Sequence, residues 1–157
     1  MVTTSFTCES PEQTFQLGFL IGEKARPGDV WSLTGDLGAG KTHFVKGMAK
    51  GAGFEGLVQS PTFGLQHIYE GRLPLYHFDW YRLERAREVE DLGWDEWLSK
   101  GGLVAVEWGD KFAELLPPNV IKLNIEVLSE ESRRVFVEAE HPDAMPRVEE
   151  LIRCWPP

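Results

Sequence analysis

The stretch VWSLTGDLGAGKT, from Val30 to Thr42, is the most informative part of this chain for its fold class. From Gly35 onward it spells Gly-x-x-x-x-Gly-Lys-Thr, and the apolar run VWSLT leads directly into that motif. A strand, a glycine-rich loop and a helix in this order form a phosphate-binding loop. The stretch therefore predicts an α/β fold that binds a nucleoside triphosphate.

Each residue type in this loop has a physical reason to contact a polyphosphate. Glycine lets the backbone curl tightly and approach the phosphates closely. The helix that opens near Lys41 adds its N-terminal amides and dipole, the Lys41 ammonium reaches the terminal phosphates, and the Thr42 hydroxyl can ligate Mg²⁺. The predicted nucleotide-binding residues of this segment are Gly35, Asp36, Leu37, Gly38, Ala39, Gly40, Lys41, Thr42 and His43.

Composition limits the other functions open to the chain. With 157 residues, of which 42% are hydrophobic, we expect a single nucleotide-binding domain over residues 1–157. A formal net charge of −9 argues against independent binding to a nucleic-acid backbone, which depends on Lys and Arg. Cys8 and Cys154 indicate neither a disulfide framework nor a zinc site. We find no leader or membrane-span pattern and expect a cytoplasmic protein with no membrane or DNA partner.

Three helices are indicated by capping and periodicity in the first two thirds of the chain. Residues 10–13, Ser-Pro-Glu-Gln, predict the start of the first helix, whose apolar stripe consists of Phe15, Phe19 and, half a turn on, Leu20. The helix after the phosphate loop is predicted over about residues 41–49. A third helix, interrupted at a central glycine, is predicted over residues 86–98.

Strand patterns account for most of the remainder. Two apolar runs separated by Glu70-Gly71 predict a hairpin-like strand pair in the middle of the chain. The segment LVAVE, which ends at Glu107, predicts a buried strand. The alternating segments VIKLNIEVL and RRVFVEAE, joined by SEES, predict two antiparallel strands.

Hydrolysis also needs carboxylates that hold the metal and orient water, and two acids at strand ends meet this need. Asp79 lies in LPLYHFDWYR, where alternation places His77, Asp79 and Tyr81 on a polar face of the strand and the neighbouring aromatic residues on a core face. Glu107 ends the apolar run LVAV, the general form of a carboxylate strand beside a phosphate loop. We expect Asp79 to ligate magnesium directly or through water and Glu107 to align the attacking water.

Two further features flank these acids. Trp108 follows Glu107 and either covers a nucleotide or packs in the core, and the sequence leaves both open. Ser60-Pro61-Thr62-Phe63 follows the phosphate-loop helix, where nucleotide-sensitive segments often lie.

Taken in order, GDLGAGKT, SPTF, HFDWYRL and VEWGD closely resemble the motifs of the TsaE (YjeE) family. The resemblance covers nearly the whole chain, and the order and spacing make it far more specific than the loop alone. It implies a P-loop NTPase-like α/β fold with a mixed, mainly parallel sheet flanked by helices and an antiparallel portion. It also implies an ATPase required, with TsaB and TsaD, for threonylcarbamoyladenosine at position 37 of tRNA.

The resemblance also implies roles for individual residues. Lys41 and Thr42 would bind phosphate and magnesium, Thr62 would sense the nucleotide and metal, and Asp79 would help to hold the metal. Glu107 would serve hydrolysis and contact the metal, with Trp108 beside it in the nucleotide site, so the implied catalytic pair is Glu107 and Lys41. Relatives often continue Glu-Trp-Pro-Glu, whereas Gly109-Asp110 follow here, so nothing is carried over beyond Trp108.

The implied division of labour fits the acidic composition, because tRNA would be held chiefly by the partner proteins while this chain contributes ATP-dependent contacts. Two alternatives stay open: a small-molecule P-loop kinase, and a docking module that binds nucleotide without turnover. No Arg-rich lid pattern follows Lys111, which disfavours the kinase, and no Asn-Lys-x-Asp motif supports guanine binding. Adenine is therefore the expected base, with ATP and Mg²⁺ as cofactors.

Overall fold

The computed structural model describes residues 1–36, 38–56 and 66–156. Within these ranges the elements follow in the order β1 (Val2–Cys8), α1 (Pro11–Lys24), β2 (Val30–Thr34), α2 (Lys41–Gly51), β3 (Gln66–Tyr69), β4 (Leu75–Asp79), α3 (Ala86–Asp91), α4 (Trp94–Ser99), β5 (Leu103–Glu107), a 3-10 segment (Gly109–Leu115), β6 (Ile121–Val127), β7 (Arg133–Ala139) and α5 (Met145–Cys154). No helix in these ranges is long and apolar enough to cross a membrane.

The strands form one mixed sheet in the order β1-β7-β6-β2-β5-β4-β3. Its centre is parallel, because β2 pairs in parallel with β5 and β6, and β5 pairs in parallel with β4. Antiparallel pairing occurs toward the two edges, between β3 and β4 and among β6, β7 and β1. The expected mixed α/β sheet with an antiparallel portion is confirmed, as are the central hairpin and the C-terminal strand pair.

Helices cover the two faces of the sheet unequally. On one face α1, α2 and α5 pack through buried residues such as Leu17, Met48 and Leu151. On the other face Trp94 of α4 and Phe112 of the 3-10 segment cover only the parallel part of the sheet. The same face of the antiparallel strands β6, β7 and β1 remains exposed to solvent.

The first helix begins as its sequence predicts. The Ser10 hydroxyl accepts a hydrogen bond from the Gln13 backbone N–H at 3.2 Å, and Pro11 occupies the first turn. The predicted stripe is confirmed only in part, because Leu20 is buried whereas Phe15 is half-buried and Phe19 is exposed. The buried side of α1 also contains Gly18 and Gly22, which let the two helices approach backbone to backbone.

That helix contact is unusually close. A Cβ added at Gly22 would lie 2.0 Å from the Met48 carbonyl oxygen, and one added at Gly51 would lie 2.0 Å from the Phe19 carbonyl oxygen. Any larger side chain at these two glycines would force α1 and α2 apart. The helix that carries the phosphate loop is therefore held in place by α1.

The predicted helix over residues 86–98 is two short helices, α3 and α4, separated by Gly93 in the left-handed conformation (φ +79°). The phosphate-loop helix extends to Gly51, slightly beyond its predicted end near residue 49. Two features carried no distinct sequence pattern: the 3-10 segment after β5, and the exact residues at which β6 and β7 end.

Candidate nucleotide-binding site

The glycine-rich loop joins the carboxyl end of β2 to the first turn of α2. Gly38 (φ +83°) and Gly40 (φ +104°) both adopt backbone conformations that favour glycine, and no atom lies within 4 Å of a Cβ built at either residue. The loop is therefore open on the side where phosphates would approach its amides. Leu37 lies outside the described residues.

Lys41 turns back over this loop although it is only 5% exposed. Its Nζ donates hydrogen bonds to the carbonyl oxygens of Gly35 at 2.6 Å and Asp36 at 3.0 Å. Burial lowers the pKa of Lys41, and the nearby carboxylates of Glu107 and Asp79 oppose that shift. The ammonium is thus placed at the centre of the loop beside an acidic pair.

Glu107 and Asp79 stand side by side because they are register partners at the carboxyl ends of β5 and β4. Both Glu107 carboxylate oxygens lie 3.4 Å from the Thr42 hydroxyl, which joins the strand end to the first turn of α2. Asp79 Oδ1 accepts a hydrogen bond from the Tyr81 backbone N–H at 2.9 Å. Burial and, to a lesser extent, the neighbouring Glu107 raise the pKa of Asp79, although that hydrogen bond acts in the opposite direction.

Trp108 covers the lysine. It is the only non-glycine residue with positive φ (+62°) in the described part of the chain, and this turn brings its ring centroid to 4.4 Å from Lys41 Nζ. The Tyr81 ring lies 5.0 Å away from the Trp108 ring, centroid to centroid. Trp108 is half-buried and packs against the core beneath β4 and β5, so core packing is observed, and its cover of a nucleotide stays a prediction.

These groups enclose a cavity of about 280 Å³. Its lining residues are Gly38, Gly40, Lys41, Thr42, His43, Asp79, Tyr81, Glu107 and Trp108. The structure thus brings together most of the predicted site residues. Gly35 and Asp36 contribute carbonyl groups to Lys41, while the buried Ala39 offers its carbonyl oxygen to Arg133 Nε at 2.9 Å. Thr62 and the rest of the SPTF motif lie outside the described residues.

Sequence reasoning missed one member of the site. His77 was expected on a polar face of its strand, yet it is 0% exposed and its Nε2 lies 2.6 Å from Glu107 Oε2. The alternation correctly placed His77 and Asp79 on the same side of β4, but α2 covers that side, so the expectation of a polar face was wrong. His43, the last residue of the predicted set, lies at the rim, where its Nε2 donates to the Pro11 carbonyl oxygen at 3.1 Å.

The oxygen atoms present fit a small, hard cation that shares its coordination with phosphate. Thr42 Oγ1 and the carboxylates of Asp79 and Glu107 are of the type that Mg²⁺ prefers, and Mg²⁺ usually keeps waters and phosphate oxygens as its other ligands. Within the described ranges no group of three or more His, Cys, Asp or Glu residues forms a metal-binding cluster. The site therefore fits magnesium delivered with a nucleotide better than a metal held by protein side chains alone.

Comparison with known proteins identifies the family of this chain. The family described as "Threonylcarbamoyl adenosine biosynthesis protein TsaE" matches residues 8–135. The Bacillus subtilis protein named tRNA threonylcarbamoyladenosine biosynthesis protein TsaE is 44% identical over 131 residues, covering 83% of this chain and 82% of the relative. Its namesake from Treponema pallidum is 39% identical over 128 residues, covering 82% of this chain and 95% of the relative.

A solved structure extends the similarity to the fold. The crystal structure of Bacillus subtilis YdiB superposes with a TM-score of 0.83 at 34% sequence identity, covering 97% of this chain and 95% of that one. The sequence matches and the shared fold lead to one conclusion: the chain belongs to the TsaE family.

Proposed function

We propose that this chain is the ATP-binding and ATP-hydrolysing subunit of tRNA threonylcarbamoyladenosine biosynthesis. It acts with TsaB and TsaD on position 37 of tRNA and does not itself transfer the threonylcarbamoyl group. The names of its relatives support the pathway. The observation that carries the ATPase activity is the meeting of Lys41, Thr42 and Glu107 around one open phosphate loop.

Each residue has a distinct role in this proposal. The loop amides bind the phosphates, and Lys41 exchanges its contacts with loop carbonyls for contacts with the terminal phosphates. Thr42 and Asp79, with Glu107, hold magnesium, which would neutralise charge on the phosphates and polarise them when bound. Glu107 orients the water that attacks the γ-phosphate, a role that depends on placement more than on basicity.

The ATP cycle serves partner docking. Loss of the γ-phosphate removes charge that the loop and Lys41 would hold, which gives the two nucleotide states different affinities for the partners. A chain with net charge −9 is poorly suited to grip tRNA alone, so tRNA is reached through the complex, in the cytoplasm.

The test compares ATP hydrolysis by the pure chain and by the chain with TsaB, TsaD and tRNA, using wild type, Lys41→Ala and Glu107→Ala. Glu149→Ala is a matched control, since Glu149 is an exposed acid on α5, a helix that packs against β1, β7 and α1. We expect slow hydrolysis alone and faster hydrolysis in the assembly, with hydrolysis strongly reduced in both site variants and unchanged in the control. Glu107→Ala that hydrolyses ATP at the wild-type rate within the assembly would disprove the role of Glu107. Phosphate transferred to a small metabolite would instead identify a kinase.

A further inference from the structure

Glu107 is held from behind by a buried histidine that has no role in the functions assigned so far. Glu107 is 4% exposed and His77 is 0% exposed, and their contact, Nε2 to Oε2 at 2.6 Å, is the shortest side-chain hydrogen bond that either residue makes among the described residues. A carboxylate oxygen accepts hydrogen bonds, so this contact requires a proton on Nε2, which donates to Oε2. The other ring nitrogen, Nδ1, has no hydrogen-bond partner among the described residues, so within them the contact with Glu107 alone orients the ring through hydrogen bonding.

The strand register explains why only this residue of β4 reaches Glu107 from the buried side. His77 pairs with Ala105, and Glu107 is two residues further along β5 on the same face. Such diagonal neighbours are within reach of long side chains, and the small Ala105 leaves room for the imidazole to lie toward Glu107. The Tyr69 ring, itself stacked on His67, lies 6.3 Å from the imidazole on the side of β3.

We propose that His77 is a positioning residue for the proposed ATPase reaction, because its Nε2–H holds Glu107 Oε2 and leaves Oε1 for magnesium or the attacking water. The Thr42 hydroxyl lies equally far, 3.4 Å, from both carboxylate oxygens and cannot select one of them by itself. The histidine makes that selection. This inference rests on the proposed function and adds the group that sets the orientation of Glu107.

The geometric part is tested without nucleotide, by NMR of the chain with ¹⁵N-labelled histidine. We expect one of the four histidines to show the Nε2–H tautomer with a slowly exchanging, downfield ring proton. This signal should disappear or shift strongly in Glu107→Ala and persist in Lys41→Ala. A buried histidine in the Nδ1–H tautomer, or a ring-proton signal that is unchanged in Glu107→Ala, would overturn the proposal.

The functional part compares two substitutions of the same residue. His77→Leu removes the donor while keeping an apolar side chain in the core, and His77→Gln keeps an amide N–H at a similar reach. We expect kcat for ATP hydrolysis to fall about 10- to 100-fold in His77→Leu and to be largely restored in His77→Gln, with affinity for ATP measured without magnesium unchanged. His67→Leu, at the register partner of His77 on β3, is the matched control and should keep wild-type kcat.

The outcomes separate this inference from the proposed function. Absence of ATP hydrolysis by wild type in the full assembly would reject the proposed function, whereas the NMR result would still report on the His77 contact. Wild-type hydrolysis with an equally active, folded His77→Leu would reject the positioning role. Equal losses in His77→Leu and His77→Gln, with both melting as wild type, would also reject it, since a donor at that reach would then not matter. Should His77→Leu fail to fold, His77→Gln and the NMR signal decide the question.

Discussion

The sheet has two halves that the helices cover differently. The parallel half consists of β2, β5, β4 and the edge strand β3, and the antiparallel half consists of β6, β7 and β1. Every residue of β5 in the parallel half is buried, and the strand is the continuous apolar run LVAV followed by Glu107. In the antiparallel half β6 alternates between buried and exposed residues along most of its length, because helices cover only one of its faces. The candidate site lies at the carboxyl edge of the doubly covered half, as expected for α/β sheets. Full coverage excludes water from both sides of a strand, which lets the polar groups at its end act on one another.

The antiparallel half still supports the site from outside. A Cβ added at Gly35 would lie 2.7 Å from the Ile125 carbonyl oxygen of β6, and Arg133 at the start of β7 donates to the Ala39 carbonyl oxygen. Both contacts are made to the backbone of the phosphate loop. One half therefore supplies the groups to which we assign the reaction, while the other half supports the backbone of the glycine-rich loop.

The largest expected difference between the halves is in activity. Lys41→Ala should reduce ATP hydrolysis by about 100- to 1000-fold, because it removes a preorganised positive charge from the phosphate site. Lys122→Ala, on the exposed face of β6, should leave the rate unchanged. Steady-state phosphate release by the two variants measures the contrast. Equal losses would mean that the catalytic groups are not confined to the covered half.

The next largest difference is in stability, and two phenylalanines on the same face of the sheet provide a matched pair. Phe78 of β4 is 0% exposed and packs edge-on against Trp94, whereas Phe136 of β7 is 40% exposed. Phe78→Ala should lower the free energy of unfolding by about 3–5 kcal/mol because it leaves a cavity. Phe136→Ala should lower it by about 1 kcal/mol or less. Urea unfolding measures both, and similar losses would show that the open face is covered in solution.

A smaller loss of stability is expected from a substitution at the contact between α1 and α2. Gly51→Ala should destabilise the chain by about 3 kcal/mol, since its Cβ would meet the Phe19 carbonyl oxygen and push α1 from α2. Lys46→Ala on the same helix should change stability by about 0.5 kcal/mol or less. Thermal and urea unfolding provide the comparison. A neutral Gly51→Ala would show that the two helices can separate without cost.

The smallest expected effect is the contribution of Asp79 to the pH dependence of the free energy of unfolding. Burial raises the pKa of Asp79 above its ordinary value of 3.8, so folding disfavours the ionised form. Asp79 therefore lowers the free energy of unfolding at high pH. This loss of stability is absent below the ordinary pKa, grows as pH rises toward the raised native pKa, and is complete above it. Asp79→Asn should therefore be at least as stable as wild type at pH 7, with its advantage shrinking in acid, although its magnesium-dependent hydrolysis falls. Urea unfolding across acid to neutral pH tests this sign, and an advantage that grows in acid would contradict it.

Local patterns allowed much of this architecture to be predicted. The cap at Ser10, the strand LVAVE and the alternating C-terminal pair all depend on residues that are close in sequence, and all were confirmed. The glycine-rich loop lies between β2 and α2 as expected, and its binding of phosphate stays a prediction. The failures have a common physical cause. Phe19 is exposed because glycines allowed α1 and α2 to approach closely on another side, and His77 is buried because α2 covers its strand face. Neither fact follows from neighbouring residues.

The chain's own residue order was sufficient to single out the loop from Gly35 to Thr42 and the acids Asp79 and Glu107, and to predict the chemistry proposed for them. Spacing alone could not place the two acids side by side, turn Trp108 over Lys41, or bury His77 against Glu107. Those arrangements depend on strand order, register and helix cover. They arise between residues tens of positions apart, where the free energy of packing the whole sheet, and not local conformational preference, selects which side chains meet.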